Sequence, residues 1–207
     1  MEEFFVIICD MKNKRIFSLI VLFLIITFEG VFIWQNKLVP RTEEEKERLE
    51  EVKERREEKR LAVKNYSESL KVWKELKKTR GASYIYKTKF ISWAGYKNET
   101  KITIKNDVPV AREFQESFMS YLEDAPTPEF YSENIENLGT NKKGSPAVTI
   151  DNLYKECEKK LKASYKHSYV TFKMNGDGII KSCGYTPLNC ADDCFEGVSI
   201  DEFEWIK

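Results

Sequence analysis

The residues best equipped for chemistry are four cysteines in the C-terminal part of the chain: Cys157, Cys183, Cys190 and Cys194. An even set of thiols in an oxidising compartment reads as a disulfide framework, and four cysteines allow three pairings among which spacing does not choose. One bridge among Cys183, Cys190 and Cys194 is expected, with Cys157 either a buried thiol or a bridge partner. A zinc site is disfavoured, because there is no C-x-x-C knuckle and the single histidine, His167, is distant in sequence. No metal ligand and no cofactor is assigned.

Other constellations read as structure. In KMNGDGIIKSCG, Asn175, Asp177, Gly178 and Ile180 fall at loop positions of an EF-hand, but Lys173 and Gly184 stand where its terminal carboxylates belong. A hairpin turn fits better. Asp192-Asp193 reads as a solvated turn rather than a cation site. His167 is placed at a helix exit, where a cation complements the helix dipole. The chain has no G-x-S-x-G elbow, P-loop, H-E-x-x-H or dinucleotide fingerprint, so no catalytic residue is assigned and an enzyme is not the expected class. Asn65-Tyr66-Ser67 and Asn98-Glu99-Thr100 are glycosylation sequons, making Asn65 and Asn98 candidate acceptors.

The elements that position these groups lie between residues 66 and 207. Tyr66, Leu70, Trp73 and Leu76 recur at helical spacing until Gly81 stops the run. YIYKTKFISW alternates as a strand, with Tyr84, Tyr86, Thr88 and Phe90 facing one way. KITIKN is a second strand, Asn106-Asp107 a turn, and VPVAREF a third strand that Pro109 confines to an edge or a short length. Residues 115–147 form a polar, turn-rich insertion expected to be disordered or decorative, although Phe118, Tyr121, Phe130 and Tyr131 argue that part of it packs. A helix then starts at the N-cap Thr149, with Asp151 complementing its dipole and Ile150, Leu153, Tyr154, Cys157 and Leu161 on one face. SYVTFKM, GIIKSCGY and a final VSIDEFEW read as strands. This order predicts an α+β domain, an antiparallel sheet packed on one or two helices.

Upstream, residues 35–65 form a charged stalk. TEEEKERLEEVKERREEKR carries nine acidic and seven basic residues, with only Leu49 and Val52 apolar. It is helical by propensity, with Thr42 as N-cap and Glu45 three residues on. Glu44 with Arg48 and Glu51 with Arg55 are favourable i,i+4 pairs, each worth a few tenths of a kcal/mol. A heptad-like seam of Leu49, Val52, Val63, Tyr66, Leu70 and Trp73 is interrupted by Arg56 and Lys59, which leaves a solvated spacer or a weak homodimer. The alternating signs and a formal net charge of zero disfavour nucleic acid as a partner.

The apolar run Ile16–Trp34, behind Lys12, Lys14 and Arg15, gives the address. Nineteen residues rise about 28 Å as a helix, enough to cross a bilayer, and a single acid, Glu29, sits near the far end. No small-x-small site follows, so an uncleaved signal anchor is expected, whether translation starts at Met1 or Met11. Counting Lys and Arg alone favours the opposite direction; the sequons and the cysteine set favour residues 1–15 as a cytoplasmic tail and the C-terminal domain as extracytoplasmic.

The segment TIDNLYKECEKKLKASYKHSYVTFKMNGDGIIKSCGYTP, followed by CADDC and VSIDEFEW, resembles the uncharacterised family catalogued as domain of unknown function 6174. Trp73 on a helix, the YIYKTKF strand and the KITIKNDVPVAREF pair fit the same pattern, so the resemblance covers about Tyr66 to Trp205. Two departures stand out. Ser92-Trp93 occupies the place where relatives often carry cysteines, and Met174-Asn175-Gly176-Asp177-Gly178 replaces a tyrosine-glycine-tyrosine-proline turn. The resemblance implies an extracytoplasmic, membrane-attached domain and brings no catalytic residue with it. The expected function is that of a membrane-anchored binding or interaction module with a protein or polymer partner; the alternative is a scaffold that oligomerises through the charged helix.

Overall fold

The computed structural model describes residues 42–118, 126–192 and 194–206. The anchor run, its flanking tail, Tyr121 and Asp193 lie outside the described residues. Among those that are described, no helix is long and apolar enough to cross a membrane. The chain divides into two compact units, Met1–Leu49 and Glu50–Lys207. The described part of the first is the start of helix α1 (Glu43–Arg80), capped as expected: Thr42 Oγ1 accepts the Glu45 N–H at 3.2 Å.

Within the second unit, α1 docks by a stripe that apolar periodicity reveals only in its C-terminal part, where Tyr66, Leu70, Trp73 and Leu76 all pack in the core as expected. Arg55, Ala62, Ser69 and Trp73 are its buried residues, seven, seven and four apart, on one helix face. Of the heptad-like seam, Val63 is exposed, whereas Tyr66 and Leu70 pack against the core beside the fully buried Trp73. The helix stops where Gly81 adopts a left-handed φ of +90°, a conformation that glycine enters without steric cost.

Eight strands follow: β1 (Tyr84–Ile91), β2 (Tyr96–Lys105), β3 (Val108–Phe118), β4 (Phe130–Asn134), then helix α2 (Ile150–Lys160), β5 (Ser168–Met174), β6 (Ile180–Pro187), β7 (Glu196–Ser199) and β8 (Glu202–Trp205). The class is α+β, as expected, but the strands form two antiparallel sheets. One has the order β4-β3-β2-β1-β8 and the other β5-β6-β7. Asn106 and Asp107, at φ 48° and 65°, make the tight β2–β3 turn whose positive φ values match strand twist.

Three expectations need correction. The final strand is two, because buried Ile200 donates its N–H to Lys181 O at 2.7 Å on one sheet, while Asp201 donates to Lys87 O at 2.8 Å on the other. The chain therefore changes sheets at Ile200-Asp201. β3 is neither an edge strand nor short: it runs 11 residues between β2 and β4, and Pro109 is tolerated because β4 pairs only with Ala111 through Gln115. The polar insertion also supplies the edge strand β4, held by a buried ion pair.

Between the sheets and the helices lies one core, organised by aromatic rings and tyrosine hydroxyls. Trp73 stacks on Trp205 at 5.5 Å and meets Tyr84 edge-on at 5.3 Å. The indole N–H groups of Trp73 and Trp205 are buried without a hydrogen-bond partner. Tyr84 OH accepts the Ile150 N–H, Tyr86 OH donates to Val148 O, and Tyr154 OH accepts the Ile180 N–H while sharing a 2.6 Å bond with Ser69. Burial raises all three phenols, Tyr154 to about 12 even though its hydrogen bonds to Ser69 and Ile180 oppose the shift. Thr149 caps α2 as expected, and the whole face Ile150, Leu153, Tyr154, Cys157 and Leu161 is buried.

Candidate functional site

The cysteines pair. Cys157 on α2 faces Cys183 on β6 with Cα atoms 5.5 Å apart, and both are fully buried. Cys190 and Cys194, with Cα atoms 6.2 Å apart, close a short loop between β6 and β7. Both separations suit a disulfide. The expected bridge among the last three cysteines is present, and Cys157 takes the bridge-partner role. Among the described residues no three His, Cys, Asp or Glu side chains gather as a metal would need.

The other sequence candidates do not converge. Asn175 organises the β5–β6 hairpin, its Oδ1 accepting the N–H groups of Asp177 at 3.0 Å and Ile179 at 3.1 Å, while Gly178 takes φ +81°. His167 is not at the helix exit. α2 is capped at Leu161, and His167 is exposed on the following turn, its N–H bonded to Ser164 O. The two sequon asparagines stand in regular elements rather than loops: Asn65 within α1, with Ser67 bonded back to Val63 O, and Asn98 within β2, its Nδ2 donating to Tyr96 OH at 3.2 Å.

Two features lie outside the candidates that the sequence singles out. The first is Arg112 on β3 with Glu133 on β4, which are 3% and 1% exposed. Arg112 Nε and Nη2 each lie 2.9 Å from a Glu133 oxygen, and the N–H groups of Gly139 and Asn141 both donate to that carboxylate at 2.7 Å. Arg112 also bonds Asn141 O at 2.7 Å and lies over the Tyr131 ring at 5.2 Å. Burial alone would raise the Glu133 pKa. The Gly139 and Asn141 N–H groups, then Arg112, more than reverse this and bring it to about 2. Every polar atom of the pair is engaged, so its work is to fasten β4 and the 138–145 loop to the sheet.

The second is the outer face of the five-stranded sheet. Alternation turns Tyr84 and Tyr86 inward, so Ile85 and Lys87 look out beside Glu99, Lys101, Glu113 and Glu202. Together they line a concavity of about 800 Å³, with Phe130, 66% exposed, on its rim. Lys87 Nζ lies 2.8 Å from Glu202 and 3.5 Å from Glu99, and Lys101 Nζ is 3.0 Å from Glu113. The Lys87 pKa is raised, first by the Glu202 hydrogen bond. With Glu204, four glutamates face two lysines, which gives a surface suited to recognising charged or polar groups and holding no activated nucleophile. Alternation in the sequence marks the lysines; the concavity does not follow from it.

Comparison with protein-family models, with curated proteins and with solved structures finds no match to this chain.

Proposed function

We propose that the chain is a single-pass membrane protein whose C-terminal α+β domain is a non-enzymatic, extracytoplasmic binding module for a protein or polymer partner. The concave outer face of the five-stranded sheet carries this reading. Its charged side chains, Lys87, Lys101, Glu99, Glu113 and Glu202, pair with one another across the concavity rather than with the core. The buried Cys157–Cys183 pair suits an oxidising compartment, the run Ile16–Trp34 suits an anchor, and the resemblance between Tyr66 and Trp205 points the same way. The scaffolding alternative draws less support, because Tyr66, Leu70 and Trp73 of the seam are occupied by the chain's own core.

A photo-crosslinking residue placed at Gln115 or Glu204 of the full-length protein in cells tests the site, with Lys78 on the solvated face of α1 as the control position. The expected result is a crosslinked adduct at the first two positions that Glu99→Lys with Glu202→Lys abolishes without changing the melting temperature. Adducts at Lys78 alone overturn the assignment. The topology has its own test: a C-terminal tag that survives external protease on intact cells excludes it.

A further inference from the structure

The second sheet ends in an open edge. β6 pairs with β7 in the register Ser182 to Ser199, Cys183 to Val198, Gly184 to Gly197 and Tyr185 to Glu196. The ladder continues as Ile200 N–H to Lys181 O, so hydrogen-bonded pairs alternate from there through Val198 and Glu196. The peptide groups of Gly197 and Ser199 therefore point away from β6. Both residues are exposed, and among the described residues nothing pairs with that edge.

This edge opens into a cleft of about 700 Å³ between β7 and α2. Pro146, Val148, Leu153 and Val198 give it an apolar floor. The wall carries three lysines, Lys155 and Lys159 on α2 and Lys162 in the turn just past its cap, with Glu156 and Glu158 among them. Of these two acids, Glu156 is paired with Lys159 at 2.6 Å. Among the described residues, neither Lys162 nor Lys155, the latter bonded to the neutral Asn152 amide, forms an ion pair with a carboxylate. β7 contains no proline, no lysine and no register shift, and the protections it does have are its length of four residues and the charged Glu196 at its start. Gly197 is required for another reason: a Cβ there would strike Cys183 O and the Phe195 ring.

An unpaired strand edge beside a helix, with a greasy floor between them, is the arrangement that accepts an extended peptide as an added strand: main-chain bonds supply affinity and alternate side chains specificity. We infer that the β7 edge binds an extended acidic peptide, which joins β5-β6-β7 as a fourth strand, bonds Gly197 and Ser199 through its backbone, sets apolar side chains on Leu153 and Val148, and offers carboxylates to Lys155 and Lys162. This site is separate from the concave face of the other sheet.

The test uses the full chain in detergent micelles and two capped, fluorescent hexapeptides, one alternating glutamate with valine and the other lysine with valine. The acidic peptide is expected to raise anisotropy saturably and to slow amide exchange at Gly197 and Ser199. Ser199→Pro deletes an outward N–H that the β6–β7 ladder does not use, so binding should weaken about tenfold, while Ser199→Ala binds normally. Lys155→Glu with Lys162→Glu, both on the surface, should reverse the preference toward the basic peptide. Equal binding of the two peptides, slowed exchange that spares Gly197 and Ser199, or an unchanged preference in the double variant overturns the inference. Charge reversal at Glu99 and Glu202 should leave this binding intact, so the two sites fail separately.

Discussion

The long helix and the β3–β4 edge use the same side chains to opposite effect. On α1, pairs such as Lys46 with Glu43 and Arg60 with Glu57 form at i,i+3, with both partners largely in water. At the edge, Arg112 and Glu133 are enclosed together, their hydrogen-bonding capacity spent on each other and on the loop carrying Gly139 and Asn141. Water screens the first kind of pair and gives back most of what it loses, whereas an enclosed carboxylate deprived of its cation has nothing to replace it. Arg112→Leu should therefore destabilise the fold by about 3–5 kcal/mol in urea titration. Arg112→Leu with Glu133→Leu should recover much of that loss, because the stranded charge is gone; a double variant as unstable as the single one would show that loop anchoring dominates.

The disulfides repeat the contrast. Cys157–Cys183 spans 26 residues and ties α2 to β6 inside the core, so Cys157→Ala with Cys183→Ala should cost about 3.5 kcal/mol by loop-closure entropy. Cys190–Cys194 spans only 4 residues near the surface, and by the same entropy its removal should cost about 2 kcal/mol, a smaller drop in the urea midpoint. Equal losses from the two double variants would mean that the short loop supports β7 rather than merely preceding it.

Legibility followed the same division. Apolar periodicity found α2 face by face, and positive-φ turn chemistry found Asn106-Asp107, because both signals are local. It found the C-terminal part of the α1 docking face, Tyr66, Leu70, Trp73 and Leu76, but not Arg55, Ala62 and Ser69 on the same helix, where apolar positions such as Val63 face water. Arg55 is buried because its Nε reaches Tyr165 O, 110 residues away, a partner that no local window contains. Glu133 was hidden in the same manner: its stretch reads as polar decoration until Arg112 is placed across from it. The change of sheet at Ile200-Asp201 escaped because VSIDEFEW alternates well enough for one strand, and only the separate partners Lys181 and Lys87 divide it.

Acid should expose the enclosed pair without any mutation. The Glu133 pKa falls from 4.5 to about 2, so its contribution is complete above pH 4.5 and disappears as pH drops through about 2. At 1.36 kcal/mol per unit this amounts to roughly 3 kcal/mol. Urea midpoints measured down that range should decline steeply in the wild type. Glu133→Gln, unstable at neutral pH, should show a shallower acid limb, and parallel limbs would assign the acid sensitivity to other carboxylates.

The smallest expected effect separates two arginines on one helix. Arg60 forks onto Glu57 with bonds of 2.8 and 2.6 Å, a better ion-pair geometry than that of Arg55, whose Nη1 lies 3.4 Å from Glu51. Ranked by distance alone, Arg60 should matter more. Arg55, however, is 7% exposed, donates to Tyr165 O at 3.1 Å and lies over the Tyr169 ring at 5.7 Å, so its stem and its fork both work in a partly dehydrated setting. Arg55→Ala should cost about 1–2 kcal/mol. Arg60→Ala should leave the urea midpoint unchanged within error, in low salt or high, because its pair stands in water on the far side of the helix. A salt-dependent loss at Arg60 as large as that at Arg55 would mean that enclosure is not what distinguishes the two regions.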